Sequence, residues 1–164
     1  MDDLFNSKFR TQSTRLSSWD YSSNGKYFVT ICTDQKVPYF GYIDNSGILN
    51  PTEIGDYTRK CWESIPEHYS FAELDSYILM PDHLHGIICF GKKVRTDWSP
   101  NQFGPQSQNL AAVIRSFKGA VKLFANKQPI EFHWQSRYFD RIIRNDWELE
   151  QIREYIRDNP KKIL

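Results

Sequence analysis

The chain has only three cysteines, and no two of them form a Cys-x-x-Cys pair. Cys32, Cys61 and Cys89 lie far apart, each inside an apolar pattern. Neither a disulfide framework nor a thiolate zinc site is expected, and the three read as buried, reduced thiols of a cytoplasmic protein. Charge of one sign is also lacking: the formal net charge is +1, so composition alone carries no nucleic-acid footprint. No apolar run approaches the length that crosses a bilayer. The opening residues, Met1-Asp2-Asp3-Leu4-Phe5-Asn6, lack the basic and apolar regions of a secretory signal, so the expectation is a soluble intracellular protein with no membrane partner. Internal repeats and low-complexity segments are absent too.

What the chain does have is 164 residues, 40% hydrophobic and 15% aromatic, enough for one domain with its own core. Residues 1–20, rich in Ser, Thr, Asn and Gln, read as an N-terminal arm, and residues 21–164 as a single domain. Tyr27 to Thr33 is apolar on both faces, the pattern of a central strand. Tyr39 to Ile43 and Gly47 to Leu49 flank Asp44-Asn45-Ser46, a hairpin signature. Asn50 as N-cap, Pro51 at the first helical position and Glu53 in the box position predict a helix with Ile54, Tyr57, Cys61, Trp62 and Ile65 on its buried face. A strand from Phe71 to Leu79 follows. Residues 91–108 hold Gly91, Pro100, Gly104 and Pro105 with no periodicity, and read as a long loop. Asn109 then caps a helix reaching about Lys127, whose core stripe is Leu110, Val113, Ile114, Phe117, Val121 and Phe124. Trp134 to Ile143 reads as a further strand. A last helix starts with Asn145 as N-cap and Glu148 in the box position, and should stop near Asn159, because Pro160 disfavours helical geometry at the residue before it. This order of elements points to an α+β protein, one sheet covered by helices.

Chemistry concentrates in Met80-Pro81-Asp82-His83-Leu84-His85-Gly86. Pro81-Asp82 is a turn signal between two β-branched, aromatic-rich runs, so the histidines should open a strand and point to one face, about 7 Å apart. Two imidazoles placed so could ligate one metal ion. An isolated His-x-His is more often an ordinary half-exposed pair, and a partner elsewhere has to decide. On the last helix Tyr155 and Asn159 are four apart and share a face, with Gln151 a turn earlier. A phenol beside a two-histidine metal site is suited to attack on phosphorus. An unperturbed phenol titrates near 10, so Lys118, Lys122 and Arg157 are candidate helpers. Alone, Tyr155 would more commonly be a core-facing aromatic and Asn159 a C-cap. His68 and His133 lie in other segments and read as surface or core-edge residues. The basic excess falls in residues 109–164, with 11 Lys/Arg against 7 Asp/Glu, compared with 10 against 13 in residues 1–108.

Taken together, Tyr77-Ile78-Leu79-Met80-Pro81-Asp82-His83-Leu84-His85, Trp134-Gln135 with Tyr138-Phe139-Asp140 and Arg144, and Tyr155-Ile156-Arg157-Asp158-Asn159-Pro160 resemble the single-tyrosine HUH transposases. Asn at position 159, where insertion-sequence members more often carry Gln, is similar to the REP-associated tyrosine transposase branch. The resemblance covers about residues 24–162. It implies a ferredoxin-like or RRM-like antiparallel sheet with helices packed on it, the HUH endonuclease fold. It implies a divalent ion, Mg²⁺ or Mn²⁺, on His83, His85 and the side-chain oxygen of Asn159, and Tyr155 as the nucleophile that cleaves single-stranded, hairpin-containing DNA. Cleavage would leave a 5′-phosphotyrosine and a free 3′-OH. Arg115, Lys118, Lys122, Gln135, Arg137, Arg141, Arg144 and Arg157 are the expected DNA contacts, with the active site formed within one chain or between two copies of a homodimer. Two other functions compete: a non-catalytic, domesticated hairpin-binding protein of the same fold, and a phosphodiesterase that activates water and has no use for Tyr155.

Overall fold

The computed structural model describes residues 24–91 and 109–160 in full, and the backbone alone at 4–5, 8–9 and 161–162. The expected arm and long loop fall almost entirely outside the described residues. Of the arm, a two-residue ribbon is described, β1 (Leu4–Phe5) antiparallel to β2 (Lys8–Phe9).

Four strands form the central sheet: β3 (Gly25–Cys32), β6 (Ala72–Leu79), β7 (His83–Phe90) and β8 (Phe139–Ile143), in the order β6-β7-β3-β8 and antiparallel throughout. Between β3 and β6 come a small ribbon, β4 (Gly41–Ile43) with β5 (Leu49–Pro51), and then α1 (Glu53–Glu63) and the four-residue α2 (Ile65–His68). Helix α3 (Leu110–Ala125) joins β7 to β8, and α4 (Asp146–Asp158) ends the described chain, running on as a 3₁₀ turn over Asn159–Lys162. Strand, helix, strand, strand, helix, strand with an antiparallel four-stranded sheet is the ferredoxin-like arrangement. The expected α+β class and antiparallel sheet are therefore observed.

Period-two alternation divides the sheet's side chains between two cores. Tyr27, Val29 and Ile31 from β3, with Leu84, Ile88 and Phe90 from β7, face α1 and α3, where Ile54, Trp62, Leu110, Val113, Ile114, Phe117 and Val121 bury against them. The opposite face carries Phe28, Ile87 and Ile143, which meet Leu149 and Ile156 of α4. Because α4 is one helix on a four-stranded face, part of that face stays uncovered.

The helix caps explain where the helices begin. Asn109 Oδ1 accepts from the Ala112 N–H at 2.9 Å and Asn145 Oδ1 from the Glu148 N–H at 2.8 Å, as the capping pattern predicts. For α1 the expected cap is corrected. Thr52 Oγ1 accepts from the Gly55 N–H at 3.1 Å, while Asn50 and Pro51 are the last residues of β5. Asn50 spends its side chain on Asp44 and on the Ile48 carbonyl, closing the hairpin.

Three other expectations change. The strand read from Trp134 to Ile143 begins only at Phe139, because the preceding carbonyls bond to α3. Lys118 Nζ donates to the Gln135 and Arg137 carbonyls at 2.8 and 3.0 Å, and Lys122 Nζ to the Phe132 carbonyl. Arg137 sits at φ +67°, outside extended geometry. The last α-helix does stop near Asn159, at Asp158, but not for the expected reason: the backbone stays helical at Asn159 (φ −56°, ψ −42°), and a 3₁₀ turn follows over Asn159–Lys162. Finally, the three cysteines are free but only half-buried.

Candidate active site

The turn before the histidine strand is pinned to the end of β3. Asp82 O accepts from the Thr33 N–H at 2.9 Å and from Thr33 Oγ1 at 3.0 Å, Pro81 O accepts from the Phe40 N–H, and the Met80 N–H donates to His83 O. This fixes where β7 starts, and with it which face His83 and His85 occupy. Both lie on the α4 face at the start of the strand, His85 buried and His83 half-buried. Their ring centroids are 4.6 Å apart, closer than the spacing along the strand, because the rings lean together edge to face.

Each imidazole is held through the same nitrogen. His83 Nδ1 lies 2.5 Å from Asp82 Oδ1, and His85 Nδ1 lies 2.7 Å from Thr30 Oγ1 on the neighbouring strand. Such outer partners set ring orientation and tautomer, and leave Nε2 as the nitrogen that would ligate an ion. Asp82 thus lies behind His83, the histidine that follows it. Thr30 was not expected. The signal for it was a hydroxyl between Phe28 and Cys32 on one face of an otherwise apolar strand.

From the far end of the chain, α4 delivers Tyr155. Its ring lies 5.3 Å from the His85 ring and 6.1 Å from that of Phe28, and the residue is 40% exposed. Phe28 in turn stacks on His85 at 5.6 Å. Tyr155 therefore borders the histidines, where Ile152 and Ile156 on the same helix turn inward. Asn159 follows one helical turn later and is buried. Among the described residues no three His, Cys, Asp or Glu side chains cluster as a metal site. Two oriented imidazoles are nitrogen donors of the kind a divalent ion could take.

The other named residues are dispersed. Arg115, Gln135, Arg137, Arg141, Arg144 and Arg157 are exposed. Arg141 pairs with Glu148, whose carboxylate also accepts from the Arg144 N–H at 2.9 Å and is held below the usual carboxylate range by that bond first. Lys118 and Lys122 are engaged with the backbone of residues 132–137, as described above, and burial pulls the Lys118 amine down. His68 and His133 are exposed and belong to other segments. Burial pushes all three cysteine thiols up, which keeps them protonated and unreactive at neutral pH.

The fold is a ferredoxin-like antiparallel sheet, and His83, His85 and Tyr155 gather at one end of its α4 face. No family model matches the chain. An uncharacterized protein of Haemophilus influenzae is 37% identical over 158 residues, covering 91% of this chain and 87% of the relative. A second protein of that organism, named "Putative REP-associated tyrosine transposase", is 25% identical over 150 residues, covering 87% and 74%. Among solved structures, a REP-associated tyrosine transposase bound to a REP hairpin superposes with a TM-score of 0.65 at 16% identity, over 94% of this chain and 74% of that one; this likeness concerns the fold. The chain belongs to one family with the uncharacterized Haemophilus protein, and it is similar, more distantly, to the Haemophilus protein that carries the REP-associated tyrosine transposase name. Among the described residues, no helix is long and apolar enough to cross a membrane.

Proposed function

We propose that this transposase-like chain is a metal-dependent endonuclease and strand transferase for hairpin-containing single-stranded DNA, working through a covalent phosphotyrosine. The observation that supports it is the approach of the Tyr155 ring to within 5.3 Å of the His85 ring, across 70 residues of intervening sequence. An aromatic at this helical position would be expected to turn inward beside Ile152 and Ile156, yet this one borders His85, whose Nδ1 is engaged with Thr30 and whose ring leans on that of His83.

In this reading His83, His85 and the Asn159 side-chain oxygen would hold a Mg²⁺ or Mn²⁺ ion, which would supply Lewis-acid polarisation of the scissile phosphate. Tyr155 Oη gives up its proton and attacks phosphorus. As the Oη–P bond forms, the P–O3′ bond breaks, and the departing oxygen takes the electron pair and a proton to become a free 3′-OH. The 5′-phosphate stays on Tyr155, so one phosphodiester replaces another and no nucleotide cofactor is needed. Reversal with a different 3′-OH completes strand transfer. Asp82 and Thr30 would hold the two imidazoles in orientation for this role.

The test is a covalent adduct assay on labelled oligonucleotides that carry a hairpin with a single-stranded extension. Wild-type protein with Mg²⁺ or Mn²⁺ should form an adduct that chelation prevents, and Tyr155→Phe should form none while still retaining the oligonucleotide. An adduct that survives Tyr155→Phe would sink the mechanism. Retention without cleavage by the wild type would leave a hairpin-binding protein of the same fold.

A further inference from the structure

Phe139 opens β8 and is 47% exposed, although it is a large apolar side chain on the outermost strand of the sheet. Edge strands are ordinarily guarded by charged residues or proline, because a bare apolar edge invites association. Register shows which face it lies on. Phe139 pairs with Thr30, and Thr30 pairs with His85, so the three stand in one cross-strand row on the α4 face. Each step of such a row is about 5 Å, which puts Phe139 about 10 Å from the histidine. Phe28 is the shared neighbour, its ring 5.6 Å from His85, 6.1 Å from Tyr155 and 6.3 Å from Phe139. Phe28 is itself buried, so Phe139 is the one apolar ring of this group left open to solvent.

We infer that Phe139 is the platform on which an unpaired base of the DNA strand stacks as that strand enters the Tyr155 site, and this inference rests on the function proposed above. A phosphate brought to Tyr155 carries a base on each side, and an uncovered ring about 10 Å away is within reach of such a base. Every base has a π-face, so the contact tolerates any sequence and demands that the base be unpaired. The platform therefore selects single-stranded over duplex DNA at the point of cleavage. Its position beside Thr30 ties it to the same strand that orients His85.

The experiment measures binding in the Tyr155→Phe background, where cleavage cannot obscure it, using a repeat hairpin with a single-stranded extension and the fully paired duplex of the same sequence. Phe139→Ala should weaken binding of the extended hairpin about tenfold or more while leaving the duplex unchanged. Phe139→Trp should restore binding, since it replaces one flat ring with a larger one. Scanning single abasic sites along the extension should find a position at which the Phe139→Ala and Phe139 proteins bind equally. If Tyr155→Phe protein binds the extended hairpin and Phe139→Ala binds it as tightly, the platform is refuted while the functional reading stands. If neither binds, the functional reading falls and takes this inference with it.

Discussion

At Gly86 the histidine strand passes beneath Trp62, and a Cβ there would lie 2.3 Å from the Trp62 ring carbon Cζ2. Trp62 is fully buried and packs against Phe117 and Tyr77, so it has no room to withdraw. Gly86→Ala should therefore destabilise the protein by about 1–3 kcal/mol, the usual cost of overpacking, read from the urea midpoint. Adding Trp62→Leu should recover part of that loss, and a Gly86→Ala protein as stable as the wild type would show that the ring is not held there. This residue also shows how much the sequence disclosed. Alternation put His83 and His85 on one face and Leu84, Gly86 and Ile88 on the other, and that assignment needed no tertiary information. The glycine's partner did, because Trp62 is brought there by a helix 20 residues upstream.

Among the elements, α4 bears most on function, because it places Tyr155 and Asn159 while burying Leu149 and Ile156. Its start was legible from Asn145 and Glu148. Removing the cap with Asn145→Ala should cost about 1 kcal/mol, seen as a lowered denaturation midpoint, and Asn145→Asp should keep most of it. A midpoint unchanged by Asn145→Ala would mean the Oδ1 contact to the Glu148 N–H adds nothing. The start of β8 was less legible. Residues 134–138 have strand-like composition, but the Lys118 amine takes the carbonyls of Gln135 and Arg137, and no local pattern reports a lysine from a helix before them. For the same reason no local pattern shows that Lys118 and Lys122, named among the expected DNA contacts, bond to this protein's own backbone.

Across the whole molecule, α4 is tied back to the far edge of the sheet by an ion pair between Arg153 and Asp75 on β6. Arg153 Nε and the Asp75 carboxylate are 2.9 Å apart and the second contact is 2.6 Å. The guanidinium holds the Asp75 carboxyl at about 2, below its ordinary value. A carboxyl that titrates lower in the folded than in the unfolded chain stabilises fully above about pH 4, and that contribution disappears as pH falls through about 2. Wild type should thus be more stable than Asp75→Asn at pH 7, with the difference shrinking toward zero between about pH 4 and pH 2, as followed by denaturation across that range. A difference constant with pH would show that the pair does not titrate this way. The sequence by itself determined the α+β class, the faces of the histidine strand, and the caps of α3 and α4, because strand alternation and helix capping act between residues only a few positions apart. Only the tertiary structure decided that Thr30 holds His85, that Phe28 gathers the rings of His85, Tyr155 and Phe139, and that Lys118 and Lys122 serve the backbone. Those contacts span from 10 to more than 100 residues and depend on how the sheet orders its strands and which face each helix covers.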